Sequence, residues 1–211
     1  MSTLYIIGNG FDLWHELPTR WDQFHNFAEE SLDELDLYFN TDTDRESSWS
    51  DFENHLGTFN WQSLFDEHNY IDVFAENFKP SEAFSLEDNL IEQADELVMA
   101  IREQFREWIE QIEISVVSKK MQFDKRGRFI NFNYTSTLQQ LYGINDDDIL
   151  HIHGRFDAYE ELVFGHSETA KQEPERDEYG NSNRTMFSDA EGAAKYPFYA
   201  FQKLVFRDPH R

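Results

Sequence analysis

Leu4-Tyr5-Ile6-Ile7-Gly8-Asn9-Gly10-Phe11-Asp12 begins with four apolar residues and runs into a glycine-rich polar segment. A short continuous apolar run closed by glycine reads as a buried strand of a parallel sheet. Gly8-Asn9-Gly10 is then expected to form a tight loop whose backbone N–H groups can face a phosphate. A simple tight turn is the competing reading. Leu13 stands where the dinucleotide fingerprint G-x-G-x-x-G has its third glycine, so that fingerprint is absent.

The pattern recurs downstream. Phe129-Ile130-Asn131-Phe132 reads as a strand, as do Ile149-Leu150-His151-Ile152-His153, closed by Gly154, and Leu162-Val163-Phe164, closed by Gly165. Helical spacing fills the intervals. Thr19 is expected to cap a helix carrying Trp21, Phe24, Phe27, Ala28, Leu32 and Leu35, and Ser85 one carrying Leu86, Leu90, Ala94, Leu97, Ile101, Phe105, Trp108 and Ile112. Residues 40–50 read as a loop and Trp49–Glu53 as the opening of a short helix. Thr135 or Ser136 starts a helix that Gly143 stops. Asp146–Asp148 reads as a turn, 167–192 as a mobile polar loop and Tyr196–Phe206 as an amphipathic helix. Strands alternating with helices predict a single α/β domain with a Rossmann-like parallel sheet and a helical insertion over residues 40–121. Ligands of such sheets bind beyond the carboxyl ends of the strands.

Composition narrows the function. The 211 residues hold 42 acidic and 18 basic side chains, a net charge of -24, which repels polyanions and argues against a broad nucleic-acid surface. Lys119, Lys120, Lys125, Arg126 and Arg128 form a local basic cluster, read as a solvated helix end. With no Cys, disulfides and thiolate metal sites are excluded, which fits a reducing cytoplasm. No basic leader precedes the first strand, and no run of about 18 apolar residues is present to span a membrane.

Three strand ends carry candidate chemistry. Alternation puts Asn131, Asn133 and Thr135 on one face and Phe132 and Tyr134 on the other. Asn133 is placed to bond a ribose or order a water, with a structural cap as its alternative role. His153, before Gly154, suits proton transfer near neutrality. His151 shares its strand face, but two His without a third ligand make a poor metal site, and no metal is expected. His166, after Gly165, is a further candidate to line the same cleft.

These segments resemble a known family. Residues 4–13 with Leu17-Pro18-Thr19, then Trp49-Ser50-Asp51-Phe52-Glu53, Phe129–Thr135, His151-Ile152-His153-Gly154 and Phe164-Gly165-His166 look, in that order, like the motifs of AbiH abortive-infection proteins. More distantly the layout resembles sirtuins. Gly8, Gly10 and Pro18 keep the spacing of the sirtuin G-A-G-x-S loop and its proline, Asn131, Asn133 and Thr135 align with T-x-N-x-D, and His153-Gly154 with the catalytic H-G. Asp12 stands for the sirtuin Ser, Glu16 for a Gly and Thr135 for the Asp, and the zinc-binding Cys set is missing, so the resemblance does not extend to protein deacetylation.

The resemblance implies antiphage defence with a nucleotide, NAD or a relative, as ligand or substrate. Asn133 and His153 would be the catalytic pair for hydrolysis of the nicotinamide–ribose bond. Gly8, Asn9, Gly10, Phe11, Asp12, Asn131, Thr135, Gly154 and His166 would hold the nucleotide. It also implies further C-terminal strands, so that a homo-oligomer or a partner chain is expected to complete the site. A nucleotide sensor without turnover, and a metal-dependent nuclease built on Asp12, Asp51, Glu53 or the His pair, are the alternatives.

Overall fold

The computed structural model describes residues 3–38, 49–124, 126–158, 162–170, 176, 178–179, 181 to 203. In chain order these form β1 (Leu4–Ile7), α1 (Asn9–Trp14), α2 (Trp21–Phe27), α3 (Glu29–Asp36), α4 (Trp49–His55), α5 (Trp61–His68), α6 (Glu82–Glu110), β2 (Arg128–Asn131), α7 (Thr137–Tyr142), β3 (Ile149–His151), α8 (Ser188–Ala194) and α9 (Tyr196–Ala200). The described residues divide into two compact units, one from 3–29, 49 and 101–164, the other from 30–38, 50–100 and 165–203.

The first unit holds the sheet. Its three strands are parallel in the order β1-β2-β3, with Ile6 beside Ile130 and Ile130 beside Leu150. This is an α/β arrangement consistent with a Rossmann-like layout. One face is covered. Ile7, Phe129 and Leu138 form its buried centre, with Tyr5, Phe11, Phe123, Ile144 and Ile149 packed around them. Tyr5 stacks on Phe129 at 5.0 Å, and Phe123 meets Phe129 edge-on at 5.0 Å.

The other face differs from expectation. β1 was read as wholly buried, yet Leu4, Ile6 and Leu150 are 58%, 70% and 58% exposed, and Phe132 and Ile152 are also open. The apolar run reflects β-propensity as well as burial.

Local chemistry explains the other differences. Gly8-Asn9-Gly10 is not a loop: α1 starts at Asn9, with Gly8 as its extended N-cap. α2 is capped one residue after Thr19, by Arg20, whose backbone N–H donates to Gln23 Oε1 at 2.9 Å. α6 starts at Glu82 rather than at Ser85, because the Glu82 carboxylate takes the Lys79 N–H and lets the helix begin a turn earlier. Leu162–Phe164 is not a strand, although the Val163 N–H reaches the His153 carbonyl at 2.9 Å. α7 ends as expected: Gly143 sits at φ 69°, and its N–H bonds to the Gln139 carbonyl.

The second unit is helical. Leu64 and Phe65 of α5, Ala190 and Ala194 of α8, and Phe201 are buried, and α5 packs on α8. The span read as a mobile loop ends in the helix α8, which starts at Ser188, whose hydroxyl accepts from the Thr185 N–H at 2.8 Å. α9 covers the first part of the expected C-terminal helix, and residues 204–206 lie outside the described residues, as do most of the 40–50 loop and Lys125. No described helix is long and apolar enough to cross a membrane.

Candidate functional site

The site of the first unit is built where β1 and β2 end. Helix α1 leaves β1 at once, so Asp12 comes to lie one turn into it, 1% exposed. After β2 the chain keeps alternating: Asn131, Asn133 and Thr135 are buried and Phe132 is 40% exposed, as the pleat predicts. The inward residues meet Asp12. Thr135 Oγ1 donates to Asp12 Oδ2 at 2.6 Å. With that proton committed, the 3.0 Å contact between Thr137 and Thr135 must have Thr137 as donor. The Asn133 N–H donates to Asn131 Oδ1 at 3.1 Å.

Burial raises the Asp12 carboxyl above the usual aspartate range, against the opposing pull of Thr135, Thr137, Asn133 and the charge of His15. Two acceptors in this cluster are buried without a hydrogen-bond partner among the described residues, Asp12 Oδ1 and Asn133 Oδ1. Such atoms are rare and point to an absent donor.

The two glycines of the first motif are not required by the fold. Gly8 is at φ -131°, Gly10 is helical, and a Cβ on either would meet nothing within 4 Å. The space beside them is open to an approaching group. The Phe11 N–H is committed to the Gly8 carbonyl at 2.8 Å, which leaves the first-turn N–H groups of Asn9 and Gly10 without an acceptor inside the helix. The Asn9 side chain donates to the Thr19 carbonyl at 2.8 Å, pinning the chain after α1. The Phe11 ring packs between His15 at 4.4 Å and Tyr142 at 5.7 Å.

His15 and Tyr142 were not singled out in the sequence. The Lys120 N–H donates to the Tyr142 hydroxyl at 3.1 Å, and that hydroxyl lies 2.7 Å from His15 Nε2. His15 Nδ1 lies 2.7 Å from the Phe11 carbonyl, so Nδ1 carries the proton and Nε2 accepts from Tyr142. This chain clamps α1 onto α7. The available signal was spacing, because Asp12 and His15, three apart, share one helix face.

At β3, the Gln139 amide NH₂ donates to Asp146 Oδ1 at 3.0 Å and to His151 Nε2 at 2.9 Å, so His151 has an acceptor at Nε2 and serves as a brace. His153 lies edge-on to Phe132 at 5.6 Å and stacked on Tyr134 at 5.7 Å, the two side chains that alternate with Asn133. Gly154 turns the chain at φ 77°. Hydrogen bonds therefore bring Asp12, Asn131, Asn133 and Thr135 together, while His153 is grouped with the aromatic rings.

His166 belongs to the second unit, where its Nε2 bonds to the Phe198 carbonyl at 2.9 Å. Glu53, in the same unit, is ion-paired with Lys203 at 2.5 Å, and the Asp51 side chain lies outside the described residues. Among the described residues no group of three or more His, Asp or Glu side chains is arranged to hold a metal ion.

The model of the family described as bacteriophage abortive infection AbiH matches residues 4–204. The chain belongs to the AbiH family. No curated protein and no solved structure matches it. The AbiH match takes in every residue of the Asp12 cluster and assigns the chain to phage defence by abortive infection.

Proposed function

We propose that this AbiH chain acts in defence through a nucleotide, with the ribose received by Asp12 and Asn133. One observation carries the reading: among the described residues Asp12 Oδ1 and Asn133 Oδ1 are buried acceptors with no donor, in one hydrogen-bonded cluster. A ribose offers hydroxyl donors, and carboxylates of α/β nucleotide sites use them in this way. The first-turn N–H groups of Asn9 and Gly10, which have no acceptor inside α1, suit the phosphates. Asn131 and Thr135 hold Asn133 and Asp12 in place.

In its hydrolytic form the reading takes NAD as substrate, in a sirtuin-like manner. Asn133 orients a water against ribose C1, His153 accepts its proton, and the nicotinamide–ribose bond breaks. The grouping of His153 with Phe132 and Tyr134 favours the second form, a sensor that binds the nucleotide without cutting it.

Calorimetry with NAD and ADP-ribose, followed by chromatography of the mixture, separates the forms. Binding that weakens on the order of tenfold in Asn133→Ala supports the site, as expected for a lost buried hydrogen bond. Nicotinamide release abolished by His153→Ala supports hydrolysis, and binding without release supports the sensor. Absence of binding by either compound refutes both.

A further inference from the structure

The second unit contains a cleft apart from the site just described. Its volume is about 380 Å³, and Phe59, Trp61, Glu168, Lys195, Phe198 and Tyr199 line it. That is the size of a small-ligand site.

Its chemistry is polarised. At one place Lys195 Nζ sits 4.1 Å from the centre of the Trp61 ring. Among the described residues this ammonium has no carboxylate within ion-pair distance, in a chain with 42 acidic side chains against 18 basic ones. The Glu168 carboxylate likewise has no cationic partner among the described residues. Among the described residues a cation and an anion, neither in an ion pair, therefore line one aromatic cleft.

His166, two residues before Glu168, is a buried neighbour outside the lining. His166 is 1% exposed, and its Nε2 faces the Phe198 carbonyl, so Nε2 carries the proton and Nδ1 keeps a lone pair. Nδ1 is buried and has no hydrogen-bond partner. Gly57 closes over this corner: a Cβ there would come within 2.9 Å of both His166 Cγ and Glu168 Cγ.

We infer that this cleft binds a mononucleotide, with its base against Tyr199, the N–H donor edge of the base on Glu168, and its phosphate on Lys195 where that ammonium rests on Trp61. Base–aromatic stacking is typically worth ten- to hundredfold in affinity, and carboxylates accept from amino groups of bases. A bare anion would satisfy Lys195 but meets Glu168 unfavourably, whereas a nucleotide answers both charges.

Calorimetry of the full chain with GMP, AMP and inorganic phosphate tests it. The expected result is saturable binding of at least one mononucleotide and none of phosphate alone. Lys195→Gln and the half-exposed Tyr199→Ala should each weaken it tenfold or more, with the thermal midpoint showing that both variants fold. Asn133→Ala, in the other unit, should leave it unchanged, which separates this cleft from the Asp12 site. The inference is overturned by an absence of saturable binding, by phosphate binding as tightly as the nucleotide, by full affinity in both cleft variants, or by loss in Asn133→Ala.

Discussion

At the scale of single residues, the molecule keeps a carboxyl where stability alone would not. Asp12 loses solvent on folding, and the bonds it regains from Thr135 and its polar neighbours do not offset that burial. Its raised pKa means the native state holds the proton more tightly than the unfolded chain. This contribution to stability is therefore complete below the unfolded value of about 3.9 and is lost as the pH rises through the folded value. Asp12→Asn removes the buried charge. Its thermal midpoint at pH 7 should equal or exceed that of the natural chain, and the decline above pH 4 should flatten in a melting series. A variant less stable at neutral pH than at acid pH by the same margin as the natural chain would contradict this.

Glycine positions show the opposite economy. Gly165 has φ 142°, and a Cβ there would lie 1.8 Å from the Phe201 carbonyl oxygen. Gly165→Ala should cost about 2 kcal/mol or more in denaturant unfolding. Gly8→Ala and Gly10→Ala meet no atom and should leave stability within about 1 kcal/mol, so any loss of nucleotide binding in them reports on the ligand. Glu16 sits at φ 64° with its carboxylate 2.7 Å from Lys120 Nζ, a left-handed position that ends α1 and gives Glu16 a structural role.

At the scale of elements, the sheet carries its weight on one side. Phe129 and Leu138 are buried to 2% and 1%, whereas Ile6 is 70% exposed on the opposite face. Phe129→Ala or Leu138→Ala should destabilise by about 3 kcal/mol, and Ile6→Thr by less than about 1 kcal/mol. Comparable losses at all three positions would show that the outer face is covered in solution.

Three of the four expected strands form, and the alternation of Asn131, Asn133 and Thr135 and the stop at Gly143 were legible as local signals, but Leu162–Phe164, closed by Gly165 as β1 is by Gly8, forms no strand. Which face of the sheet is covered was not legible. Leu4 and Ile6 look the same in sequence whether a helix packs on them or not. The start of α1 at Asn9 was missed because glycine at a helix N-cap resembles glycine in a turn. The clamp of Lys120, Tyr142 and His15 joins residues more than a hundred positions apart, and no periodicity reports such a contact.

At the scale of the whole molecule, a net charge of -24 sets the conditions under which any ligand is met. Self-repulsion should make the chain more stable as salt rises from about 0.02 M to the physiological range, where the screening length is about 8 Å. A melting series at fixed pH reads this directly. Against that field an anionic nucleotide would need local compensation, for which the first turn of α1 is proposed in one unit and Lys195 in the other.

The most direct test of the account is a carboxyl-selective ¹³C titration of Asp12, with and without saturating ADP-ribose. The account predicts a pKa above the ordinary aspartate value in the free chain, lowered when a ribose hydroxyl donates to Oδ1, since a donor favours the charged form. An ordinary value in the free chain, or a raised one that bound ADP-ribose leaves in place, would contradict it.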